Sequence, residues 1–421
     1  MFRKFRFAFQ DVQTLSRLFR ALLYWAIVGL STQAAFAQQA TFPLQQTPGF
    51  PEQKVQDDPN QQDQVLPYDL PHIPTLPPTN ERPETVQDDR VLLTQSHIAL
   101  ILPLQSSSYQ RYADSIRLGV LSAASITQDR SLPVIVYATT DEPYRISEAY
   151  QRALSTGARA IIGPLTRTGV SALATSGHVD VPTLALNTPE TDIRLPPNLY
   201  VFGLQIESEA RQAARLAFRE GGRKALIVAG ETPVGRRIAQ AFKEEWKRLK
   251  GDIADEFVYA TDASRLGQLR ETVKNTSADA IFLSLDAARA RFIRPYLGTQ
   301  LRIYTTSMVY ASNADRLELY DLDGVRFLDM PWLLQPDHPA VMTYLRPDVQ
   351  TNSLDQERFY ALGIDAYRIV KALLQGNPES IVIDGVTGTI KLSQNRHFTR
   401  EPVPAYFGYG SAHMLTADSP Q

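Results

Sequence analysis

The pattern of apolar and polar positions changes at about residue 97. From there on, short apolar runs alternate with amphipathic segments of roughly 12 to 20 residues. This alternation is typical of βαβ units, in which helices connect parallel strands that are buried on both faces. The first series of runs therefore predicts one doubly wound lobe. Its strands are predicted at 98–103, 134–138, 160–163, 183–186 and 200–203, and its helices at 109–127, 145–156 and 168–177.

A second series of the same kind starts with an amphipathic segment at 207–220. Gly221 and Gly222 follow this segment, and glycine commonly ends a helix at this position. The apolar runs that come next predict a second lobe with the same alternation. Its strands are predicted at 225–229, 257–259, 280–285 and 302–306, and its further helices at 233–250, 264–275 and 287–297.

The last part of the chain departs from strict alternation. A strand is predicted at 325–330, a long helix at 356–374, and terminal strands at 387–392 and 405–409. This order indicates that the chain returns to the first lobe and then ends near the hinge.

Together these elements predict the α/β class, with two doubly wound Rossmann-like lobes joined by a multi-strand hinge. The folded domain is predicted to cover residues 96–410. Lobe 1 would consist of about 96–205 plus 323–410 and lobe 2 of about 206–322, while residues 411–421 would form a flexible tail. A cleft between two such lobes can close on a ligand.

Residues 1–37 carry the pattern of an export signal. Basic residues precede an apolar run at 21–30, and Ala35 and Ala37 form a small-x-small pair before Gln38. The apolar run is shorter than the roughly 20 residues that span a membrane. We therefore predict a cleaved signal peptide at 1–37; a retained anchor and a buried helix are the alternatives.

Residues 38–95 are rich in proline, glutamine and aspartate, and their few apolar residues follow neither a helical nor a strand period. Such a segment buries too little surface to offset the entropy lost on ordering. We therefore predict a disordered Pro/Gln-rich spacer at 38–95. The alternative is a Pro-rich recognition ligand, for which the sequence at 76–78 offers a short polyproline signal.

The net charge and the absence of cysteine exclude or disfavour several classes of function. The formal net charge of −2 creates no field that would attract nucleic acid, so a nucleic-acid partner is disfavoured. The chain contains no cysteine, which excludes disulfides, Cys-ligated zinc and thiol nucleophiles. It also excludes acylation of a cysteine at the processing site, so no lipid anchor is predicted. With the export signal, these observations predict a periplasmic location and leave association with the cell envelope open.

Motifs of the common catalytic sites are missing from the sequence. No GxSxG elbow, GxxxxGK[ST] loop, GxGxxG turn or HExxH motif occurs, and the six histidines are dispersed without metal-like spacing. We therefore predict a protein that is not an enzyme and that uses neither a metal nor another cofactor.

Polar residues follow several predicted strands at their carboxyl ends, where ligands bind in open parallel sheets because the loops there border a crevice. We predict these residues as candidates for the lining of the cleft between the lobes. They are Ser106, Ser107, Ser108, Thr166, Arg167, Asn187 and Thr188 on lobe 1, and Thr232 and Ser307 on lobe 2.

Each candidate also has a purely structural interpretation. Ser108 is equally suited to cap a helix, and Asn187, Thr188 and Pro189 have the chemistry of a turn. Arg167 could face the cleft or a surface carboxylate. The sequence leaves these alternatives open.

Five segments carry a resemblance to a known family. They are HIALILPL at 97–104, IGPL at 162–165, VPTLALN at 181–187, ALGIDAY at 361–367 and GVTGTI at 385–390. In this order they resemble the LppC family of penicillin-binding-protein activators, whose C-terminal domain is similar to leucine/isoleucine/valine-binding proteins. The resemblance implies a type I periplasmic-binding-protein fold.

The resemblance also implies a periplasmic regulator of peptidoglycan synthesis, which binds and activates a penicillin-binding protein and does no chemistry itself. The best-known members are outer-membrane lipoproteins with an N-terminal helical-repeat domain, whereas this chain has no lipidation cysteine and carries the Pro/Gln-rich spacer instead. The alternative function is a periplasmic solute-binding receptor for an amino acid, a peptide or a cell-wall fragment. An enzyme is the third class, for which the sequence offers no assembled site.

Overall fold

The structure is a computed structural model that describes residues 95–127, 131–259, 264–311, 316–347 and 353–416. The predicted signal peptide at 1–37 lies outside the described residues, as does the predicted spacer at 38–95 except for Gln95.

Lobe 1 is built on a five-stranded parallel sheet with the strand order β2-β1-β3-β4-β5. Alternate residues of the first strand face opposite sides: Ile98 and Leu100 belong to one hydrophobic cluster, Ala99 and Ile101 to another. Both faces of the sheet are therefore buried, which explains the continuous apolar run. The elements are β1 (His97–Leu102), α1 (Gln110–Thr127), β2 (Val134–Ala138), α2 (Pro143–Ser155), β3 (Ala158–Ile162), α3 (Arg167–Thr175), β4 (Thr183–Ala185) and β5 (Leu199–Val201).

Lobe 2 is built on a seven-stranded sheet with the order β15-β14-β10-β9-β8-β6-β7. Strands β6 to β10 are parallel, and β14 and β15 are added in antiparallel orientation. The elements are α4 (Ile206–Arg219), β6 (Lys224–Gly230), α5 (Pro233–Arg248), β7 (Asp252–Tyr259), α6 (Ser264–Asn275), β8 (Ala280–Ser284), α7 (Ala287–Ile293), β9 (Arg302–Tyr304), α8 (Arg316–Tyr320), β10 (Val325–Asp329), β14 (Val403–Gly408) and β15 (Ser411–Met414).

Between these strands of lobe 2 the chain returns to lobe 1. Residues from Met330 to Phe398 contribute to the same hydrophobic cluster as Ile98 and Leu100. A small antiparallel sheet of three strands, β11, β12 and β13, completes the segment that returns to lobe 1. The elements are α9 (Pro331–Leu334), α10 (Pro339–Met342), α11 (Leu354–Leu374), β11 (Val382–Gly385), β12 (Gly388–Leu392) and β13 (Phe398–Glu401).

Two boundaries predicted from the sequence are wrong. The segment 323–410 does not belong to lobe 1 as a whole, because β10 pairs in parallel with β9, and β14 pairs with β10. The predicted tail at 411–421 begins too early, because Ser411–Met414 forms β15 and pairs with β14 across a two-residue turn. A fully buried strand such as β10 has the same burial pattern in either sheet, and only its pairing with neighbouring strands decides between the lobes.

Helices α1 and α11 pack at unusually short range. A Cβ atom added to Gly119 would lie 2.0 Å from the carbonyl oxygen of Tyr360, and one added to Gly363 would lie 2.2 Å from that of Ile116. Only glycine allows the two backbones to approach in this way. This contact holds the returning helix against the first lobe.

The chain crosses between the lobes three times: from β5 to α4, from β10 to α9, and from β13 to β14. These three crossings form the hinge. The expected two doubly wound lobes and multi-strand hinge are confirmed.

Candidate functional site

The serines that follow β1 do not share one environment. Ser106 is buried, and its carbonyl oxygen accepts the backbone N–H groups of Tyr109 at 3.2 Å and Gln110 at 2.8 Å. Ser107 and Ser108 are exposed. Helix α1 begins at Gln110, so Ser108 does not stand directly before it.

The candidates that follow β3 and β4 bind the two loops to each other. Thr166 is buried and caps α3, since its Oγ1 accepts the N–H of Gly169 at 3.2 Å. Arg167 donates from Nη2 to the carbonyl oxygens of Pro189 at 2.9 Å and Glu190 at 3.1 Å. These contacts fix the loop after β4 against the start of α3.

Asn187 completes this arrangement. Its Nδ2 donates to the carbonyl oxygen of Leu165 at 3.2 Å, and its Oδ1 accepts the N–H of Thr188 at 2.9 Å. The side-chain hydrogen bonds of Asn187 therefore stabilise the turn that follows β4.

The two candidates on lobe 2 also have structural partners. Thr232 caps α5, with its Oγ1 accepting the N–H of Gly235 at 3.0 Å. Ser307 is buried, and its N–H donates to Oε2 of Glu209 at 3.0 Å. Contact of any of the nine residues with a ligand stays a prediction.

A cavity of about 660 Å³ opens at the carboxyl ends of the lobe 2 strands. Tyr259 at the end of β7, Asp286 after β8 and Met308 after β9 line it, together with Arg289 and the half-exposed ring of Phe292. The cavity lies on the side of the sheet edge where ligands of open parallel sheets bind. Its wall combines apolar surface with one acidic and one basic side chain.

Four buried charges at the hinge were not predicted from the sequence, and we call them the hinge ion pairs: Glu209, Asp329, Arg358 and Arg400. Arg358 on α11 donates from Nη2 to Oδ2 of Asp329 at 2.6 Å. The same nitrogen donates to the carbonyl oxygens of Ser307 at 3.3 Å and Tyr310 at 3.0 Å in lobe 2. A helix of lobe 1 is thus bonded to the end of β10 and to the loop after β9.

The second hinge ion pair joins two other crossings. Arg400 on β13 donates from Nη2 to Oε1 of Glu209 on α4 at 2.5 Å, and from Nη1 to the carbonyl oxygen of Thr387 at 3.3 Å. Glu209 also accepts from Ser307, whose carbonyl oxygen accepts from Arg358. Ser307 therefore connects the two pairs.

Burial and neighbouring charge shift the pKa of Arg358 in opposite directions. Burial alone lowers the pKa of the Arg358 guanidinium, but the charge and hydrogen bonds of Asp329 outweigh it, and the pKa is raised above its usual value. Arg358 therefore stays charged. The hinge contains paired charges that water does not reach.

Two carboxyl groups on α11 have raised pKa values. Burial raises the pKa of Asp365, against the opposing effects of Arg368 and of the hydrogen bonds from Val386 and Thr387. Burial also raises the pKa of Glu357, whose Oε2 accepts the indole N–H of Trp332 at 2.6 Å. The charged residues among the buried apolar residues of α11 are the sequence signal that could have indicated these buried carboxyl groups.

The described residues contain no group of three or more His, Cys, Asp or Glu side chains that could hold a metal ion. Over the same residues, no helix is both long enough and apolar enough to cross a membrane.

Fold and hinge define the class: a two-lobed α/β domain of the periplasmic-binding-protein type. A solved structure from Chromobacterium violaceum ATCC 12472, described as "a putative branched-chain amino acid ABC transporter", matches with a TM-score of 0.65 and 36% sequence identity over 74% of this chain and 99% of its own. The C-domain of LpoA from Haemophilus influenzae, described as a regulator of PBP1A, matches with a TM-score of 0.66 over 76% of this chain and 100% of its own. At 22% identity, this second likeness concerns the fold alone.

The family model described as "LppC putative lipoprotein" matches residues 52–265 and 259–410. The chain therefore belongs to the LppC family, and the resemblance seen in the sequence is confirmed. A penicillin-binding protein activator LpoA from Vibrio antiquarius is 26% identical over 368 residues, which are 78% of this chain and 60% of the relative. The protein of the same name from Vibrio vulnificus is 26% identical over 74% of this chain and 57% of its own length. The chain thus spans about three fifths of these curated relatives.

Proposed function

We propose that this chain is a periplasmic, non-enzymatic regulator of peptidoglycan synthesis that binds a penicillin-binding protein and activates it. The main support is the match, over 78% of the chain, to a relative named penicillin-binding protein activator. The export pattern at 1–37 supports the location.

The geometry of the hinge is consistent with this role. A regulator that docks on an enzyme gains affinity when its surface is already ordered in the binding conformation. The hinge ion pairs tie all three crossings together, and breaking them to move the lobes would expose or isolate buried charges. The hinge ion pairs therefore oppose a change in the arrangement of the two lobes.

An activation assay tests the proposal directly. We expect the purified chain to increase the rate at which a bifunctional penicillin-binding protein of the same organism polymerises or cross-links lipid II. The rate is measured from the glycan products, with the chain added at increasing concentration. The rise should saturate, because it depends on a complex of the two proteins.

Two controls separate activation from other causes. The chain alone with lipid II should give no product, which tests the non-enzymatic part of the proposal. Chain that has been unfolded by heat should leave the enzyme's rate unchanged, which excludes a crowding effect. If native chain neither changes the rate nor binds any bifunctional penicillin-binding protein of that organism, the proposed function is wrong.

A solute receptor is the second candidate, favoured by the cavity at the carboxyl ends of the lobe 2 strands and by the 36% identical structure described as an amino-acid transporter. Phe292 places an apolar ring beside Asp286 and Arg289, whose side chains pair with each other. A zwitterion with an apolar side chain would exchange that pairing for contacts with its own ammonium and carboxylate groups. In that case a branched-chain amino acid at 100 times its dissociation constant should stabilise the protein by about 2.7 kcal/mol. A thermal-shift measurement checks this, and Phe292→Ser should remove the shift.

A further inference from the structure

A second cavity of about 660 Å³ lies at the opposite edge of the seven-stranded sheet, and we call it the amino-edge cavity. Asp279 before β8, Arg302 at the start of β9 and Gly324 before β10 line it, so it opens where these parallel strands begin. The nine candidate residues of the cleft follow the other ends of their strands. The amino-edge cavity is therefore a separate feature.

Two buried polar atoms on its wall lack a partner. Arg294 donates from Nη1 to the carbonyl oxygen of Gly298 at 2.7 Å and from Nη2 to that of Asp323 at 3.0 Å. Within the described part of the chain, however, neither Nε of Arg294 nor Oδ1 of Asp323 has a hydrogen-bond partner, although both atoms are buried. Buried polar atoms are nearly always bonded, so this donor and this acceptor call for a ligand or water.

The electrostatics of Arg294 agree with this geometry. Burial lowers the pKa of its guanidinium, and the charge of Asp323 opposes the shift. Arg294 bonds to the backbone oxygen of Asp323, and Oδ1 of the Asp323 carboxylate is left without a hydrogen-bond partner within the described residues. The wall therefore offers a cationic donor, Arg294, and an anionic acceptor, Asp323.

Aromatic rings complete the cavity. Tyr406 and Tyr409 of the β14–β15 hairpin line it, and Tyr409 is 73% exposed. Tyr409 and Gly410 form the two-residue turn with φ values of +54° and +71°, a conformation that asparagine and glycine usually supply. A bulky residue in this region is strained, and such strain persists mainly where a side chain is needed for function.

A donor, an acceptor and the exposed aromatic ring of Tyr409 are together suited to a sugar. Neighbouring hydroxyl groups both donate and accept, and the C–H face of a pyranose packs on an aromatic ring. Arg302 and Arg326 also line the cavity, but both are bonded to Glu220. At the donor of Arg294 that lacks a partner, the charge of Asp323 opposes the binding of a phosphate or a carboxylate. We propose that the amino-edge cavity binds a neutral oligosaccharide.

The proposal goes beyond the proposed function, because a regulator can activate its enzyme without touching the glycan. Only the choice of an N-acetylated amino sugar as the first probe rests on that function. The full chain should bind tetra-N-acetylchitotetraose, measured by titration calorimetry. Tyr409→Asn should weaken this binding at least about tenfold while the protein stays folded, since asparagine tolerates the left-handed turn.

Tyr144→Asn is the matched control, because Tyr144 is an exposed tyrosine at the start of α2 in lobe 1 and does not line the cavity. It should leave the affinity unchanged. Arg294→Lys keeps the charge but removes Nε, and it should weaken binding as Tyr409→Asn does. Equal affinities of Tyr409→Asn and the parent chain would overturn the assignment.

Further probes separate the possible ligands. Binding of cellotetraose but not of the chitotetraose supports a sugar site and contradicts the amino-sugar choice. No binding of either sugar at millimolar concentration, or displacement by sodium sulfate alone, would overturn the proposal. Sugar binding by a chain that fails to activate any penicillin-binding protein would support this site while refuting the proposed function.

Discussion

Replacing Arg358 with methionine is expected to lower the free energy of unfolding by about 3 to 5 kcal/mol. The variant keeps most of the side-chain volume but leaves Asp329, which is 0% exposed, without its ion partner. The N–H of Met330 at 2.9 Å would be too little to compensate a buried carboxylate. Unfolding in urea, followed by circular dichroism, measures the change.

A surface pair provides the matched control. Arg117 donates to Asp114 one turn earlier in α1, and the two side chains are 31% and 48% exposed. Arg117→Met should therefore change the free energy of unfolding by less than about 1 kcal/mol. The double variant Arg358→Met with Asp329→Leu should recover part of the loss, because it removes the unpaired charge. Equal effects of Arg358→Met and Arg117→Met would contradict a buried ion pair at the hinge.

The hinge ion pairs also show what limits prediction from the sequence. Arg358 and Asp329 are 29 positions apart, and Glu209 and Arg400 are 191 positions apart. Local patterns describe what a segment of ten or twenty residues buries, and they carry no information about which distant charge it meets. The pattern at 325–330 likewise carries no information on whether the strand extends the sheet that contains β9 or begins the return to lobe 1.

Local patterns succeeded where the residues of a segment are enough to decide its element. The run at 134–138 forms β2 and the segment 264–275 forms α6, each with the predicted bounds. The first is an uninterrupted apolar run rich in β-branched residues and the second is an amphipathic segment, so neither needs a distant partner to be recognised. The two lobes follow from such segments, because alternating strands and helices form parallel sheets.

The candidate site was harder to predict because one residue type serves two purposes. Thr166 and Thr232 stand at strand ends, where hydroxyl groups bind ligands, and they also stand before helices, where hydroxyl groups cap. A threonine between a strand and a helix is compatible with either role. Only the position of the N–H groups of Gly169 and Gly235, which requires the folded chain, reveals the caps.

Gly363→Ala should lower the free energy of unfolding by about 1 to 3 kcal/mol, although alanine favours a helix more than glycine does. The added methyl group would lie 2.2 Å from the carbonyl oxygen of Ile116. That atom belongs to the backbone of α1, so no rotation of a side chain can relieve the contact, and the two helices must move apart. Such a shift would loosen the cluster that contains Val120 and Ile364.

Gly267→Ala tests the same substitution without the contact. Gly267 lies within α6, is exposed, and has no atom within 4 Å of the position of an added Cβ. Helix propensity then acts alone and should raise the free energy of unfolding by about 0.5 to 1 kcal/mol. Opposite signs for the two variants in urea unfolding would show that Gly363 is required by the approach of α1 and α11. A gain in stability from both would mean that the helices are not in close contact, and that the glycine in the segment ALGIDAY serves another purpose.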